Sequence, residues 1–288
     1  MADAPISKQI ARNMADRQML KDAVFPKPDK TVVVTVANQK GGVGKTTTAV
    51  NVAMALADAG LHILLIDMDA QGNASTALGV PHSAGTPSMY DVIVDGVDLA
   101  EVIVPSPAQG MLEVAPATID LSGAEIEVVG RMRREYLLAD AIESFLSTHR
   151  DYDVIIVDCP PSLGMITLNA LVCADQVLIP IQTEYYALEG VTQLWRTIEM
   201  IRKQLNPKLH VGAILLTMYD RRTKLSEEVA EEVREHFPDL VLETAIPRSV
   251  RVSEAPSFEQ TVIRYDAAGA GALAYKKAAL EFARRLAS

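Results

Sequence analysis

From Thr31 onward, short runs of β-branched residues alternate with longer stretches of helical periodicity. Strands that alternate with helices form βαβ units and a parallel sheet. A run that is apolar at every position, such as Val154–Val157, is typical of a strand buried on both faces. We therefore expect an α/β fold in which a mostly parallel, doubly wound sheet is flanked by helices.

The boundaries of these elements follow from the same pattern. The predicted strands are Thr31–Ala37, Ile63–Asp67, Leu112–Ala115, Val154–Asp158, Gln176–Ile181, Val211–Thr217 and Val241–Thr244. The predicted helices are Lys45–Ala59, Met89–Asp95, Arg131–Ser147, Leu163–Ala174, Glu189–Leu205, Ser226–His236 and Gly269–Leu286. Ser162 and Ser226 are placed as N-caps of two of these helices.

Residues 1–30 do not share this pattern. They are polar, and their one predicted helix, Ser7–Val24, has loosely spaced apolar positions. We interpret 1–30 as an N-terminal extension, partly helical or disordered, and 31–288 as one domain. A loosely docked terminal helix and a partner-binding segment are both compatible with the extension.

The composition narrows the class of protein. Of 288 residues, 49% are hydrophobic and 22% are charged, which is ordinary for a globular chain. Two cysteines, Cys159 and Cys173, are too few for a disulfide framework, and no run approaches the ~18 apolar residues that span a bilayer. These features indicate a soluble cytoplasmic protein. The net charge of -10 argues against a dedicated nucleic-acid coat protein, because Lys and Arg supply non-specific affinity for DNA.

The strongest motif lies directly between the first predicted strand and the first predicted helix. It reads Lys40-Gly41-Gly42-Val43-Gly44-Lys45-Thr46-Thr47. Small residues there let backbone N–H groups surround phosphate oxygens, and the helix N-terminus adds positive potential. In such a loop, Lys45 reaches the β- and γ-phosphates and Thr46 offers its hydroxyl to Mg²⁺. The usual pattern begins with glycine where this chain has Gln39, and Lys40 is an additional lysine.

Acidic residues end two of the predicted strands. Asp67 and Asp69 close the second strand, and Asp158 follows the apolar run 154–157. Ligands of open parallel sheets bind at the carboxyl ends of strands, so these acids should face the phosphates. Asp67 and Asp69 cannot point the same way in extended chain, so their roles should differ. Asp158 is placed to hold Mg²⁺ through a water.

These motifs resemble a known family. Lys40–Thr47 is similar to the deviant Walker A motif of the ParA/MinD ATPases, which are P-loop NTPases. The segments Asp67–Asn73, Asp158–Ser162, Gln182–Gly190 and Ile246–Ser257 resemble chromosome-partitioning ParA (Soj) proteins in particular. The resemblance implies a slow basal ATPase that requires ATP and Mg²⁺, and a homodimer that sandwiches ATP. It also implies non-specific binding to double-stranded DNA on the nucleoid, stimulation by a ParB-type centromere-binding partner, and no stable membrane association.

The resemblance also implies roles for individual residues. Lys40 is similar to a signature lysine that reaches the other subunit's phosphates, Asp69 matches the acid that positions the attacking water, and Thr47 matches an α-phosphate contact. On this basis the catalytic residues are Lys40, Lys45 and Asp69, the metal-binding residues are Thr46, Asp67 and Asp158, and the nucleotide-binding residues are Lys40–Thr47 with Pro247 and Ser249 on the adenine side.

DNA binding by an acidic chain requires a local basic surface. Arg222 and Arg251 match positions where the family has DNA-contacting arginines. Charges farther away than ~10 Å are largely screened at 0.1 M salt, so the acidic total does not prevent such a surface. Further candidates are Arg221, Lys224, Arg248, Lys276, Lys277, Arg284 and Arg285.

Three alternatives remain open from the sequence. A MinD-like membrane-cycling ATPase for division-site positioning would need a C-terminal amphipathic helix, but Ala274–Ala287 is rich in alanine and offers mainly Tyr275, Leu280, Phe282 and Leu286 as bulky apolar residues. A dimer sharing an iron–sulfur cluster would need Cys159 and Cys173 as ligands, although Cys173 falls within a predicted helix. A plasmid-borne role is a further possibility beside a chromosomal one.

Overall fold

Seven strands form one sheet at the centre of the protein. The computed structural model describes residues 5–185 and 187–288. Its strands are β1 (Val32–Val36), β2 (Ile63–Asp67), β3 (Val104–Pro105), β4 (Leu112–Ala115), β5 (Val154–Asp158), β6 (Gln176–Gln182) and β7 (His210–Thr217). Their order in the sheet is β3-β4-β2-β5-β1-β6-β7. All neighbouring strands are parallel except β3, which pairs antiparallel with β4. The predicted mostly parallel sheet is therefore confirmed.

Eleven α-helices are found in the described part of the chain. They are α1 (Pro5–Lys21), α2 (Lys45–Asp58), α3 (Asn73–Ala77), α4 (Leu121–Glu127), α5 (Leu137–Thr148), α6 (Met165–Cys173), α7 (Ala187–Gln204), α8 (Lys224–His236), α9 (Val250–Glu254), α10 (Val262–Tyr265) and α11 (Ala270–Leu286). A π-helical turn lies at Asp91–Asp95, and 3₁₀ turns lie at Leu99–Glu101 and Ala255–Phe258. Tyr186, part of the family-like segment, lies outside the described residues.

Helices cover both faces of the sheet. Val34 and Ile156 pack with α2 and α11 on one face. Val33 and Ile155 pack with α5 and α6 on the other, where β6 and β7 also meet α7 and α8. Every residue of β1, β2 and β5 is buried, which is why these strands lack the alternation of half-exposed strands. The sheet is doubly wound, as the apolar runs predicted.

The predicted strand Val241–Thr244 is wrong. Val241 makes only an isolated parallel bridge to Ile214 of β7, and the next such bridge joins Tyr219 to Pro247. Between the two bridges, the backbone N–H and hydroxyl of Thr244 both donate to the Glu281 carboxylate of α11. A side chain from a helix thus takes the hydrogen bonds that a strand would have given to β7.

Several helix starts also differ from the predictions. Helix α5 begins six residues later than expected, after a turn in which Arg133 has a φ of 55°. Helix α8 begins at Lys224, so Ser226 is not its N-cap. Instead the buried Ser226 hydroxyl accepts a hydrogen bond from the Asp220 N–H and bonds to the Thr183 hydroxyl. Helix α6 follows Gly164, and Ser162 is not its cap either.

The N-terminal extension lies against the C-terminal helix. Helix α1 occupies most of the predicted Ser7–Val24, and Asp16 forms a 3.0 Å ion pair with Lys277 of α11. After α1, Phe25 packs against the core, and Lys27 forms a 2.8 Å ion pair with Asp153 beside β5. Residues 25–30 are thus fixed to the core, whereas α1 lies on its surface.

Arg285 provides a test of how the non-strand segment 240–248 is held. Its guanidinium donates to the carbonyls of Gly212, Leu240 and Val241 at 2.7–3.2 Å, while the neighbouring Arg284 is exposed. Because Arg285→Ala removes a charged donor from these three carbonyls, of which that of Leu240 still accepts from the Ile214 N–H, we expect it to lower the free energy of unfolding by about 1–3 kcal/mol. Arg284→Ala is the matched control and should change it by less than about 0.5 kcal/mol. Urea unfolding of both variants measures the difference; equal values would contradict the anchoring role.

Candidate functional site

The loop between β1 and α2 has backbone angles at two positions that favour glycine. Gly42 and Gly44 have φ of 75° and 87°, in the left-handed region that favours glycine. The Thr217 hydroxyl at the end of β7 donates to the Val43 carbonyl at 2.8 Å. The Asn38 side chain donates to the Pro180 carbonyl and accepts from the Lys40 N–H. The loop is therefore held by β6 and β7, and the N-terminus of α2 opens directly behind it, with no side-chain cap.

This loop forms one side of a cavity of about 620 Å³ at the carboxyl ends of the strands. Its lining comprises Gly41, Gly42, Gly44, Lys45, Thr46, Thr47, Val50, Asp69, Gln71, Asn73, Ala77, Pro161, Met218 and Pro256. The volume suits a small-molecule ligand. Backbone N–H groups at a helix N-terminus make the loop side of the cavity suited to an anion.

The two lysines of the motif have different environments. The Lys45 side chain is buried, and its Nζ donates to the Lys40 carbonyl at 3.2 Å. Burial lowers the pKa of Lys45, while the nearby Asp158 acts in the opposite direction. The Lys40 side chain is exposed and does not line the cavity. The positive charge of Lys45 is thus buried at the cavity, whereas the positive charge of Lys40 is exposed to solvent.

The predicted acids meet because of strand register. Asp158 of β5 lies opposite Val36 of β1 on one side and Asp67 of β2 on the other. Both carboxyl groups are fully buried, and burial raises the pKa of each above its usual range; the charge of Asp67 raises that of Asp158 further. Two buried carboxylates at adjacent strand ends repel each other when ionised, and a nearby positive charge stabilises them.

The hydrogen bonds of these two acids differ. Asp67 Oδ2 accepts from the N–H and the hydroxyl of Ser75 at 2.9 and 2.8 Å, and its Oδ1 accepts from the Asp69 N–H at 3.1 Å. Neither oxygen of Asp158 has a well-formed hydrogen bond, although the Thr46 hydroxyl is close enough to lower its pKa against the effect of burial. Asp67 is therefore satisfied within the protein, and Asp158 is not.

An unsatisfied buried carboxylate beside Thr46 fits a divalent cation. The described residues contain no cluster of three or more His, Cys, Asp or Glu that could hold a metal alone. Mg²⁺ in nucleotide sites takes only one or two protein ligands and completes its shell with water and phosphate oxygens. The donor set of Asp158 and Thr46 is thus suited to a cation that arrives with a phosphorylated ligand.

Asp69 is directed differently from Asp67, as the sequence predicted. It lines the cavity, and its Oδ1 accepts from the Gln71 N–H at 3.0 Å. The structure therefore brings together the motif 41–47, Asp69 and Asp158 at one end of the sheet. Asp67 lies behind them as a support for α3 through Ser75.

The two residues predicted on the adenine side do not line this cavity. Pro247 lines a second groove, together with Arg222 and Arg248, and Ser249 is at the start of α9. The cavity is completed instead by Pro256 and Met218. The sequence offered one signal for Met218, which is its position just after the carboxyl end of β7. Pro256 lies within the family-like segment Ile246–Ser257, but no role was predicted for it.

Arg222 and Arg251 are exposed, but each already has an acidic partner. Arg222 binds Asp220 through two hydrogen bonds of 2.9 and 2.7 Å, and its side chain is 83% exposed. Arg251 donates to Glu254 at 2.7 Å and is 61% exposed. Arg222 lowers the pKa of Asp220 to about 2, so this acid is ionised at neutral pH.

The contribution of the last helix to a DNA surface stays a prediction, and three of its four cations already have partners. The Arg285 guanidinium is bound to backbone carbonyls, Lys277 pairs with Asp16, and Lys276 lies 3.8 Å from Asp58. The carbonyls and carboxylates that bind these side chains lie far away in the sequence, which local spacing cannot reveal. Of the four, only Arg284 is exposed.

Comparison with known proteins finds a matching family model and relatives that are similar along most of the chain. A family model described as an AAA domain matches residues 31–211. The chain is 50% identical over 253 residues to the chromosome partitioning protein ParA of Caulobacter vibrioides (strain NA1000 / CB15N), which covers 88% of this chain and 94% of that protein. It is 47% identical over 251 residues to the sporulation initiation inhibitor protein Soj of Bacillus subtilis (strain 168), covering 87% and 98%.

Solved structures support the same fold. Cobyrinic acid a,c-diamide synthase from Mycobacterium smegmatis, with bound ADP and magnesium, is 38% identical with a TM-score of 0.72 and covers 85% of this chain and 91% of that chain. The septum site-determining protein MinD from Pyrococcus horikoshii OT3, complexed with Mg-ADP, is 23% identical with a TM-score of 0.71, covering 86% and 94%. The second likeness concerns the fold alone.

The contrast between Asp67 and Asp158 gives a stability test. In nucleotide-free protein with EDTA, Asp158→Asn removes a buried, unpaired carboxylate, so we expect the free energy of unfolding to stay unchanged or to rise by up to about 2 kcal/mol. Asp67→Asn replaces one of the two oxygens that together accept from three donors by an NH2 group, which is itself a donor, and should lower it by about 1–3 kcal/mol. Urea unfolding at pH 7 compares the two. A decrease above about 1 kcal/mol in Asp158→Asn would contradict the unpaired state of this carboxylate.

Proposed function

Because the chain belongs to the ParA/Soj family of chromosome-partitioning ATPases, we propose that it binds ATP and Mg²⁺ in the cavity beside 40–47, dimerises around the nucleotide and binds DNA without sequence preference. In this proposal it drives chromosome or plasmid partitioning on the nucleoid, and a ParB-type centromere-binding partner stimulates hydrolysis. The observation that carries the nucleotide part is the unsatisfied Asp158 carboxylate, which is fully buried next to Lys45 and Thr46, two residues that line a cavity at a helix N-terminus.

In the proposed reaction, the protein positions the phosphates and neutralises their charge. The N–H groups of 41–47 bind phosphate oxygens, Lys45 binds the β- and γ-phosphates, and Thr47 contacts the α-phosphate. Thr46 and Asp158 would hold Mg²⁺, with Asp67 contributing negative charge behind them; when bound, the cation supplies positive charge to the phosphate oxygens. Asp69 orients the water that attacks the γ-phosphate. Positioning and charge account for catalysis in phosphoryl transfer, without a covalent intermediate.

Lys40 has a separate role in the proposal. Its side chain is exposed beside the cavity, whereas Lys45 is buried within it. A lysine in that place can reach the phosphates of a second copy, so the complete site requires the dimer. We assign no arginine to the site within one subunit, so basal hydrolysis is slow until the partner binds. Pro247 and Ser249 remain proposed contacts on the adenine side of the dimeric site.

The proposed DNA surface includes Arg222 and Arg251. Both guanidinium groups are exposed, and each forms an ion pair with a neighbouring acid. Arg221 and Arg248 line the same groove as Arg222. Such a surface can bind DNA of any sequence, because contacts to the phosphate backbone carry no base information.

The membrane-cycling alternative has little support in the fold. Tyr275, Leu280 and Phe282 of α11 are buried, and α11 packs on α2. Their side chains stabilise the core and do not form an exposed apolar face. Among the described helices, none combines the length and apolarity needed to cross a bilayer.

The two lysines should separate nucleotide binding from dimerisation. Lys45→Ala removes a buried cation from the cavity and should weaken ATP binding about 10- to 100-fold, since hydrogen bonds to charged groups contribute about 1.5–3 kcal/mol. Lys40→Ala should leave ATP affinity of the monomer within about threefold, yet abolish the ATP-dependent dimer. Calorimetry with ATP and sedimentation velocity with a non-hydrolysable analogue measure the two effects. A Lys40→Ala protein that dimerises normally with ATP would sink the proposed role.

The arginines and their acidic partners should change DNA affinity in opposite directions. With ATP, Arg222→Gln and Arg251→Gln should each weaken binding and make the salt dependence of log K shallower by about 0.9 for each phosphate that is no longer bound. Asp220→Asn removes the acid that competes for Arg222 and should strengthen binding. Fluorescence anisotropy on a random-sequence duplex, at several salt concentrations, measures both. The matched control is Arg196→Gln on α7, which is exposed and should bind like the parent chain.

The same titration with ATP, ADP or no nucleotide tests the proposal as a whole. Binding only with ATP is the expected result, because two weak surfaces act together in the dimer. Absence of DNA binding in every nucleotide state would overturn the DNA-binding part of the proposal.

A further inference from the structure

Helix α1 has a charge opposite to that of the rest of the protein. Its residues Pro5–Lys21 include four basic and one acidic side chain, a net charge of +3. Residues 31–288 carry 21 Lys and Arg against 33 Asp and Glu, a net charge of -12. A basic helix is thus attached to a strongly acidic body.

The described side chains of α1 do not belong to the hydrophobic core. Asn13, Asp16 and Leu20 are half-buried and form one narrow stripe along the helix, which lies against α11. Met14 and Met19 are 66% and 42% exposed. At positions 11 and 13–21 of α1, little apolar surface is removed from water, so the packing of these side chains contributes little to stability. The ion pair of Asp16 with Lys277 is a polar contact that holds α1 against α11.

These contacts place α1 beside the proposed DNA surface. Asn13 and Asp16 line a groove of about 1000 Å³ whose other lining residues include Arg221, Arg222 and Arg248. Three more acids also line it: Asp220 pairs with Arg222, Glu281 accepts from Thr244, and the third is Glu243. Asp16 is the one acidic residue of α1, and Lys277 already pairs with it. Arg17 and Lys21 are exposed and form no ion pair among the described residues.

We propose that α1 is a second phosphate-binding element, in which Arg17 and Lys21 bind the DNA backbone alongside the groove that contains Arg222 and Arg248. The inference rests on the DNA-binding part of the proposed function and extends it to the N-terminal extension. The occupant is the duplex backbone, because only a polyanion matches cations from α1 and from the loop after β7 at once. A partner without such charge would gain nothing from Arg17 and Lys21.

The test is a double substitution in the full chain, Arg17→Gln with Lys21→Gln. A matched control is Arg196→Gln with Lys203→Gln on α7, where one arginine and one lysine are also exposed, on the opposite face of the sheet. Both variants change the net charge equally, so an effect of total charge appears in both. Binding to a random-sequence duplex with ATP is measured by anisotropy at several salt concentrations, and the basal ATPase rate verifies that each variant is folded.

We expect the α1 variant to bind about 10-fold more weakly at 0.1 M salt, with a salt dependence shallower by about 0.9 for each phosphate that it no longer binds, and the α7 variant to match the parent. Equal binding by the parent and the α1 variant would overturn the inference and leave the proposed function standing. Tighter binding by the α1 variant would overturn it too, since α1 would then obstruct the groove. A parent chain that binds no DNA with ATP would overturn both the inference and the DNA-binding function.

Discussion

The register of three neighbouring strands determines the chemistry of this protein. Because β2, β5 and β1 run in parallel and end together, Asp67 and Asp158 become adjacent beneath the loop that follows β1. Two buried like charges are unfavourable unless donors or cations compensate them. Asp67 is compensated by Ser75 and the Asp69 N–H, but Asp158 has only the neighbouring charge of Lys45 and a weak contact to Thr46. The site is thus electrostatically incomplete without a cation, and this explains why a nucleotide with Mg²⁺ suits it.

Strand β7 connects this site to the proposed DNA surface. Thr217, at its carboxyl end, binds the Val43 carbonyl of the phosphate loop. The turn that follows contains Tyr219, whose N–H donates to the Ile246 carbonyl and whose own carbonyl accepts from the Arg248 N–H. The same turn ends in Arg222. One strand end therefore contacts the phosphate loop and also positions two arginines.

The sequence predicted best what depends on local pattern. Apolar runs identified the central strands to within one residue, and the glycines of the phosphate loop occur where positive φ is required.

The prediction from sequence failed where a distant side chain replaced a regular hydrogen bond. The Glu281 carboxylate accepts the hydrogen bonds of Thr244, where a strand was predicted. Ser226 is buried against Thr183 and does not cap a helix. Arg285 binds backbone carbonyls and does not face solvent. Such contacts join residues 37, 43 and 45 positions apart, which local periodicity cannot report. The roles of Lys40, Pro247, Ser249, Arg222 and Arg251 stay predictions, because they concern a ligand, a second copy or DNA.

In the proposed function, the acidic partners of the surface arginines would make DNA binding by this acidic protein reversible. Arg222, Arg251 and Arg248 lie near Asp220, Glu254 and Glu184, at 2.7, 2.7 and 3.7 Å. Each contact to phosphate must compete with a carboxylate that is already in place, so a single surface binds weakly. Affinity then depends on how many cations meet the backbone at once. Dimerisation doubles that number without changing any contact, because the second surface binds at a high effective concentration. If the proposed function holds, nucleotide-dependent dimerisation, more than charge alone, therefore decides whether such a surface of paired arginines binds DNA.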